Sequence, residues 1–83
     1  MAFNIANWGS ISANAGPIFV GYTWGGQGHG AQFAEAYPQS SGAQLVSTDE
    51  EIDNEGGQIT YWFQLTNTGN QPTSYTLSGG GLS

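Results

Sequence analysis

Lysine and arginine are missing from this chain altogether, and so is cysteine. An average domain draws about a quarter of its residues from Asp, Glu, Lys and Arg, so roughly ten basic side chains would be expected at this length. The six acidic residues therefore stand almost unopposed, with one histidine and the N-terminal amine as the only groups able to carry positive charge. No salt bridge between side chains can form except through His29. Nucleic acid is all but excluded as a partner, because contacts to phosphate rest on Lys and Arg. Phosphate-rich cofactors and anionic membrane surfaces lose their usual donors for the same reason. Without cysteine there are no disulfides and no thiolate chemistry, and the redox compartment stays open.

Long hydrophobic runs are missing as well. No stretch approaches the ~18 apolar residues of a membrane-spanning helix, so no membrane insertion is expected. MAFNIANWGS has neither a charged n-region nor a long apolar run, which predicts no signal peptide. None of the six asparagines is followed two residues on by Ser or Thr, so glycosylation sequons are lacking too. With charge so scarce, Gly, Ser, Thr, Asn and Gln must cover the surface. That composition is closer to secreted or assembly-forming proteins than to cytosolic enzymes, and an extracellular or surface-associated location is the expectation. Residues 1–83 make one domain, and at that size only about 60–65% of the unfolded surface can be buried. Chains this small usually add disulfides, a metal or self-association. With disulfides ruled out, a homo-oligomer is expected.

What is present is alternation with a period of two. In QITYWFQLTN, Ile59, Tyr61, Phe63 and Leu65 fall on one face and Thr60, Trp62, Gln64 and Thr66 on the other: a strand with one buried and one wet side. Gly69, Asn70 and Pro72 then supply turn chemistry, and SYTLS follows with Tyr75 and Leu77 inward. These two strands are expected to pair as a hairpin. PIFVGYTW sets Ile18, Val20, Tyr22 and Trp24 against Phe19, Gly21 and Thr23. Both faces are fairly apolar, which predicts a central strand covered on both sides. AFNIANW puts Phe3 and Ile5 on one face and Trp8 on the other, and GAQLVST reads as a short strand carrying Leu45 and Val46. AQFAEAY holds good helix formers, but so short a segment ending at Pro38 makes barely two turns. Alternation of Phe33, Glu35 and Tyr37 against Gln32, Ala34 and Ala36 favours a strand. Six short strands with Gly-rich turns between them imply an all-β fold, a small antiparallel sandwich or barrel. The closing GGGLS is expected to be mobile unless something holds it down.

YWFQLTNTGNQPTSYTLSGGG resembles the penultimate and last strands of immunoglobulin-like repeats, in which alternating residues lead through Asn-x-Gly into a second strand. The resemblance covers Gln58 to Gly80. It implies a sandwich and no particular activity, since such folds host many functions.

Three stretches carry candidate chemistry. The first is WGGQGHGA, residues 24–31. Gly26, Gly28 and Ala31 fit G-x-G-x-x-A, with Asp49 roughly 20 residues on. A dinucleotide site also needs a helix to receive the pyrophosphate, and Pro38 cuts the only candidate short. A metal at His29 would have to recruit Glu35 or residues 49–55, and no nucleophile elbow accompanies the histidine. The segment reads as a flexible connection with an exposed imidazole, or as a binding loop in which glycines let the backbone approach a ligand beside Trp24, Gln27 and His29.

The second stretch is TDEEIDNEGG, which holds five of the six carboxylates. Asp49, Glu51, Asp53 and Glu55 recur at every second position, a pattern of oxygen ligands that suits calcium. The EF-hand pattern fails, because Asn54 stands where Gly is needed and no Glu follows at the twelfth position. The competing reading is a solvated acidic turn that keeps the protein soluble.

The third is aromatic. Trp62 falls on the polar face between Thr60 and Gln64, Trp8 follows Asn7, and Trp24 leads into the glycine loop. Indole faces flanked by amides and hydroxyls suit sugars, whose CH groups stack on the ring while neutral side chains bond the hydroxyls. Tryptophan is equally at home in subunit interfaces. The sequence thus predicts a non-enzymatic binding module, an oligomeric carbohydrate-binding (lectin-like) protein for a glycan or other neutral polar ligand. The alternative is a self-assembling structural subunit, a coat or filament protein.

Overall fold

A computed structural model describes residues 2–81. It contains six strands: β1 (Ala2–Ile11), β2 (Ala15–Tyr22), β3 (Gln32–Pro38), β4 (Leu45–Glu55), β5 (Gln58–Asn67) and β6 (Thr73–Gly81). No helix occurs among the described residues, and the ambiguous segment before Pro38 is a strand. The strands form two antiparallel three-stranded sheets, β1-β6-β3 and β2-β5-β4. Packed on each other, they make an all-β sandwich of 40 × 20 × 18 Å.

The alternation of β5 sets the core. Tyr61, Phe63 and Leu65 point inward and are almost wholly buried, while Thr60, Trp62, Gln64 and Thr66 keep partial exposure. Val20 and Tyr22 join them from β2, Tyr75 and Leu77 from β6, and Ala34 and Ala36 from β3. Burying each of the larger apolar side chains contributes about 1.5–3 kcal/mol.

Several expectations from the sequence are corrected. β5 and β6 do not form a hairpin; they lie in opposite sheets, each as the central strand of its own. Residues 68–72 cross the sandwich instead of closing a tight turn. The hairpin joins β4 to β5, where Glu55 pairs with Gln58. Between them Gly56 and Gly57 take φ of 60° and 92°, the succession of left-handed residues that a two-residue turn needs to match strand twist. The acidic run is therefore not a solvated turn but the far half of β4. Carboxylates are poor strand formers, yet β4 is an edge strand, and edges accept charge.

β2 is likewise an edge and not a covered central strand, so Phe19 is left 66% exposed. In β1 three residues, Ala6 to Trp8, stand between Ile5 (opposite Leu77) and Gly9 (opposite Tyr75), where one residue of β6 lies across from them. This bulge, with Asn7 at φ 55°, breaks the alternation and brings Trp8 to the same cleft as Phe3 and Ile5. Gly79 and Gly80 are no loose tail, because each pairs with β1 on one side and β3 on the other. Glycine at 79 also leaves room for the Phe3 ring, which would lie 2.8 Å from an added Cβ. Leu82 and Ser83 of the expected mobile tail lie outside the described residues.

Candidate functional site

The predicted ligand residues divide between two surfaces and a loop. On the outer face of the β2-β5-β4 sheet, Trp62 stands opposite Gly21 of β2 and Glu51 of β4. Gln64 lies between Phe19 and Thr48, and Thr60 opposite Asp53. Directly opposed residues of an antiparallel pair share a face, so these side chains form one ribbon. Gly21 decides how Trp62 lies. A Cβ at Gly21 would come within 2.6 Å of the indole Cζ3, so the six-membered ring covers bare backbone while the residue remains half-exposed. Beside it Asp53 hydrogen-bonds Glu51 and, helped by its charge and slight burial, raises the Glu51 carboxyl above its ordinary value. The ribbon thus combines an aromatic plane with carboxylate, hydroxyl and amide groups, and it has no cation.

Trp8 and Trp24 meet elsewhere. They line a cleft of about 130 Å³ with Phe3, Ile5, Tyr22, Thr23 and Leu77. The Phe3 and Trp24 ring centroids are 5.3 Å apart at 80°, and those of Tyr22 and Trp24 are 5.8 Å apart at 83°. Burial, together with the charge of Glu50 and the neighbouring Tyr61, pushes the Tyr22 hydroxyl up to about 12. Asn7 lies in the bulge that places Trp8 and is exposed.

The glycine loop is neither loose nor simply exposed, contrary to the first of its two readings. Trp24 bridges to Gln27 across Gly25 and Gly26, which take φ of 64° and 85°. The Gly26 N–H donates to Thr23 Oγ1 (2.8 Å), whose hydroxyl donates to the Ile59 carbonyl (2.9 Å). The Ile59 N–H returns a bond to the Gly26 carbonyl (2.8 Å). The Tyr61 hydroxyl accepts from the His29 N–H (2.9 Å) and donates to the Gly30 carbonyl (2.8 Å). His29 is half-buried, its ring centroid 4.7 Å from that of Trp24. Only Gln27 of the predicted loop ligands projects as an exposed side chain.

The four alternating carboxylates do not gather. Among the described residues, no group of three or more His, Asp or Glu stands where it could hold a metal ion. A bulge between Thr48 and Glu51 interrupts the period, with Asp49 at φ 49°. It frees Glu50 to reach the opposite sheet, where Oε1 accepts a hydrogen bond from the Ala34 N–H at 3.1 Å. Glu51 and Asp53 remain together on the outer face beside Trp62 and Thr60.

Sequence reasoning missed Phe19 as a surface residue, and Phe3 and Tyr22 as walls of a cleft, because alternation assigns all three to the interior. It also missed Asn67, although the Asn-x-Gly turn marks the place. Its side chain is fully buried; Nδ2 donates to the Ser12 and Gln71 carbonyls, and Oδ1 accepts from the Gln44 and Gly69 N–H groups.

Fold and sites together define a small all-β sandwich with an aromatic and acidic sheet face and a separate aromatic cleft. No protein-family model matches the chain, and neither a curated protein nor a solved structure is similar to it.

Proposed function

We propose that the chain is a non-enzymatic binding module for carbohydrate, with its site on the outer face of the β2-β5-β4 sheet. The observation that carries this reading is the pose of Trp62, an indole laid over Gly21 with Thr60 and Gln64 as its same-face neighbours along β5 and the carboxylates of Glu51 and Asp53 on the β4 side. The CH face of a pyranose stacks on such a ring, while Thr48, Thr60, Gln64, Glu51 and Asp53 exchange hydrogen bonds with its hydroxyls. A neutral ligand asks for no Lys or Arg, and the chain has neither. Each stack is weak by itself, so useful affinity comes from several copies engaging one polymer. Electrophoresis through gels containing neutral polysaccharides tests this. At least one should retard the protein, with reversal by its free sugar. Unretarded migration across a broad panel of neutral polysaccharides would remove the reading.

A self-assembling structural subunit is the second reading, favoured by the opposite sheet. There Phe33 and Tyr37 are 58% and 68% exposed, and exposed aromatic rings are the side chains that subunit contacts favour. Sedimentation over a range of concentrations separates the two. Open-ended growth supports the structural subunit, whereas a fixed small species supports the binding module.

A further inference from the structure

The cleft between β1 and β2 is chemically unlike the Trp62 face. Its walls are the rings of Phe3, Trp8, Tyr22 and Trp24, with Ile5 and Leu77 completing the apolar lining. Phe3 makes interplanar angles of 46° with Tyr22 and 80° with Trp24, and Tyr22 meets Trp24 at 83°. The rings therefore form the corner of a box and not a stack. Ring faces carry the negative part of the aromatic quadrupole and attract cations, most strongly where water is displaced. Charge is the second observation. The chain carries six carboxylates and no lysine or arginine, so its net charge favours a positive ligand, which meets no competing Lys or Arg side chain.

We propose that this cleft binds a methylated ammonium group. Size and hydrogen bonding both narrow the choice. The volume of about 130 Å³ is near the roughly 150 Å³ of cavities that hold a benzene-sized guest, which is also the scale of a trimethylammonium head. Acceptors for an N–H are few in the lining, the hydroxyls of Thr23 and Tyr22, so a primary ammonium would lose hydrogen bonds on entry, and a sugar would lose several. A fully methylated nitrogen has no N–H to satisfy. None of this depends on the carbohydrate reading, because the two sites share no residue.

Titration of the protein's tryptophan emission with choline, and with its uncharged isostere tert-butylethanol, tests the proposal on the unmodified protein. Choline should bind saturably and about tenfold or more tighter than the isostere at low ionic strength, and added salt should weaken it. Equal or tighter binding of tert-butylethanol would overturn the proposal and leave a plain apolar cleft; no response to choline would overturn it too. Trp8, 37% exposed, allows a second arm. Trp8→Leu should weaken choline by about tenfold while the melting temperature holds, whereas unchanged affinity in a folded variant would contradict the box. Co-sedimentation with phosphatidylcholine vesicles identifies the source: retention points to a lipid headgroup, and binding of free choline alone points to a soluble cation.

Discussion

At the scale of single residues, the firmest polar contribution is Asn67. Its amide fills all four of its hydrogen-bonding positions, joining segments from Ser12, Gln44 and Gly69 to Gln71. Asn67→Leu would leave two backbone N–H groups and two carbonyls without their partner, and should cost at least about 3 kcal/mol in urea unfolding. A loss below about 1 kcal/mol would mean that the knot is dispensable. This residue was legible as a turn former only, since two of its four partners, Ser12 and Gln44, come from other loops. The outward facing of Trp62 was legible, because it follows from the alternation of β5 alone, whereas its pose over Gly21 depends on the pairing of β5 with β2. The buried tyrosines give a pH prediction. Burial raises Tyr75, and burial with Glu50 and Tyr61 raises Tyr22 to about 12. A group held above its unfolded value stabilises fully below that value, about 10 for tyrosine, and the contribution is lost as pH rises through the folded value. The protein should therefore lose stability between about pH 10 and 12, with late tyrosinate absorbance coinciding with loss of the near-ultraviolet dichroism. Ionisation of all four tyrosines near pH 10 with the dichroism intact would contradict it.

At the scale of elements, the strands themselves were readable and their partners were not. Alternation marks a strand wherever one side is buried, but nothing local says which sheet the next strand joins. That choice fell to packing: β5 and β6, the two with the most regular inward faces, each became the centre of a sheet. The edges are managed by irregularity. β1, β2 and β4 each carry a register shift, and bulges of this kind spoil edge-to-edge pairing. β3 lacks one, and there Glu50 covers the Ala34 N–H instead. Because the bulge of β4 releases Glu50, a defect in one edge protects another. Glu50→Ala should speed amide hydrogen exchange at Ala34 and lower stability by about 1 kcal/mol; unchanged exchange would show that the contact does not hold. The same bulge separates Asp49 from the rest of the acidic run, while Glu51, Asp53 and Glu55 keep their register at about 7 Å per pair of residues along an extended strand, too spread to converge on one ion.

At the scale of the whole molecule, one property recurs: negative charge with almost nothing to balance it. It suits the two ligand classes proposed above, neutral hydroxyl-rich molecules and small cations. It also fits a sandwich whose exposed aromatics stand on its sheet faces while its edges are interrupted, so that any assembly would proceed through faces. The central claim is that the outer face of the β2-β5-β4 sheet is a carbohydrate platform centred on Trp62. The most direct measurement compares the protein with its Trp62→Ala variant, recording polysaccharide retention, subunit number and melting temperature together. The account predicts that retention is lost, that subunit number is unchanged, and that the melting temperature falls by only a few degrees as Gly21 loses its cover, a cost on the order of 1 kcal/mol. Retention equal to that of the parent, or dissociation of the assembly at intact fold, would contradict it and turn the indole into an interface anchor.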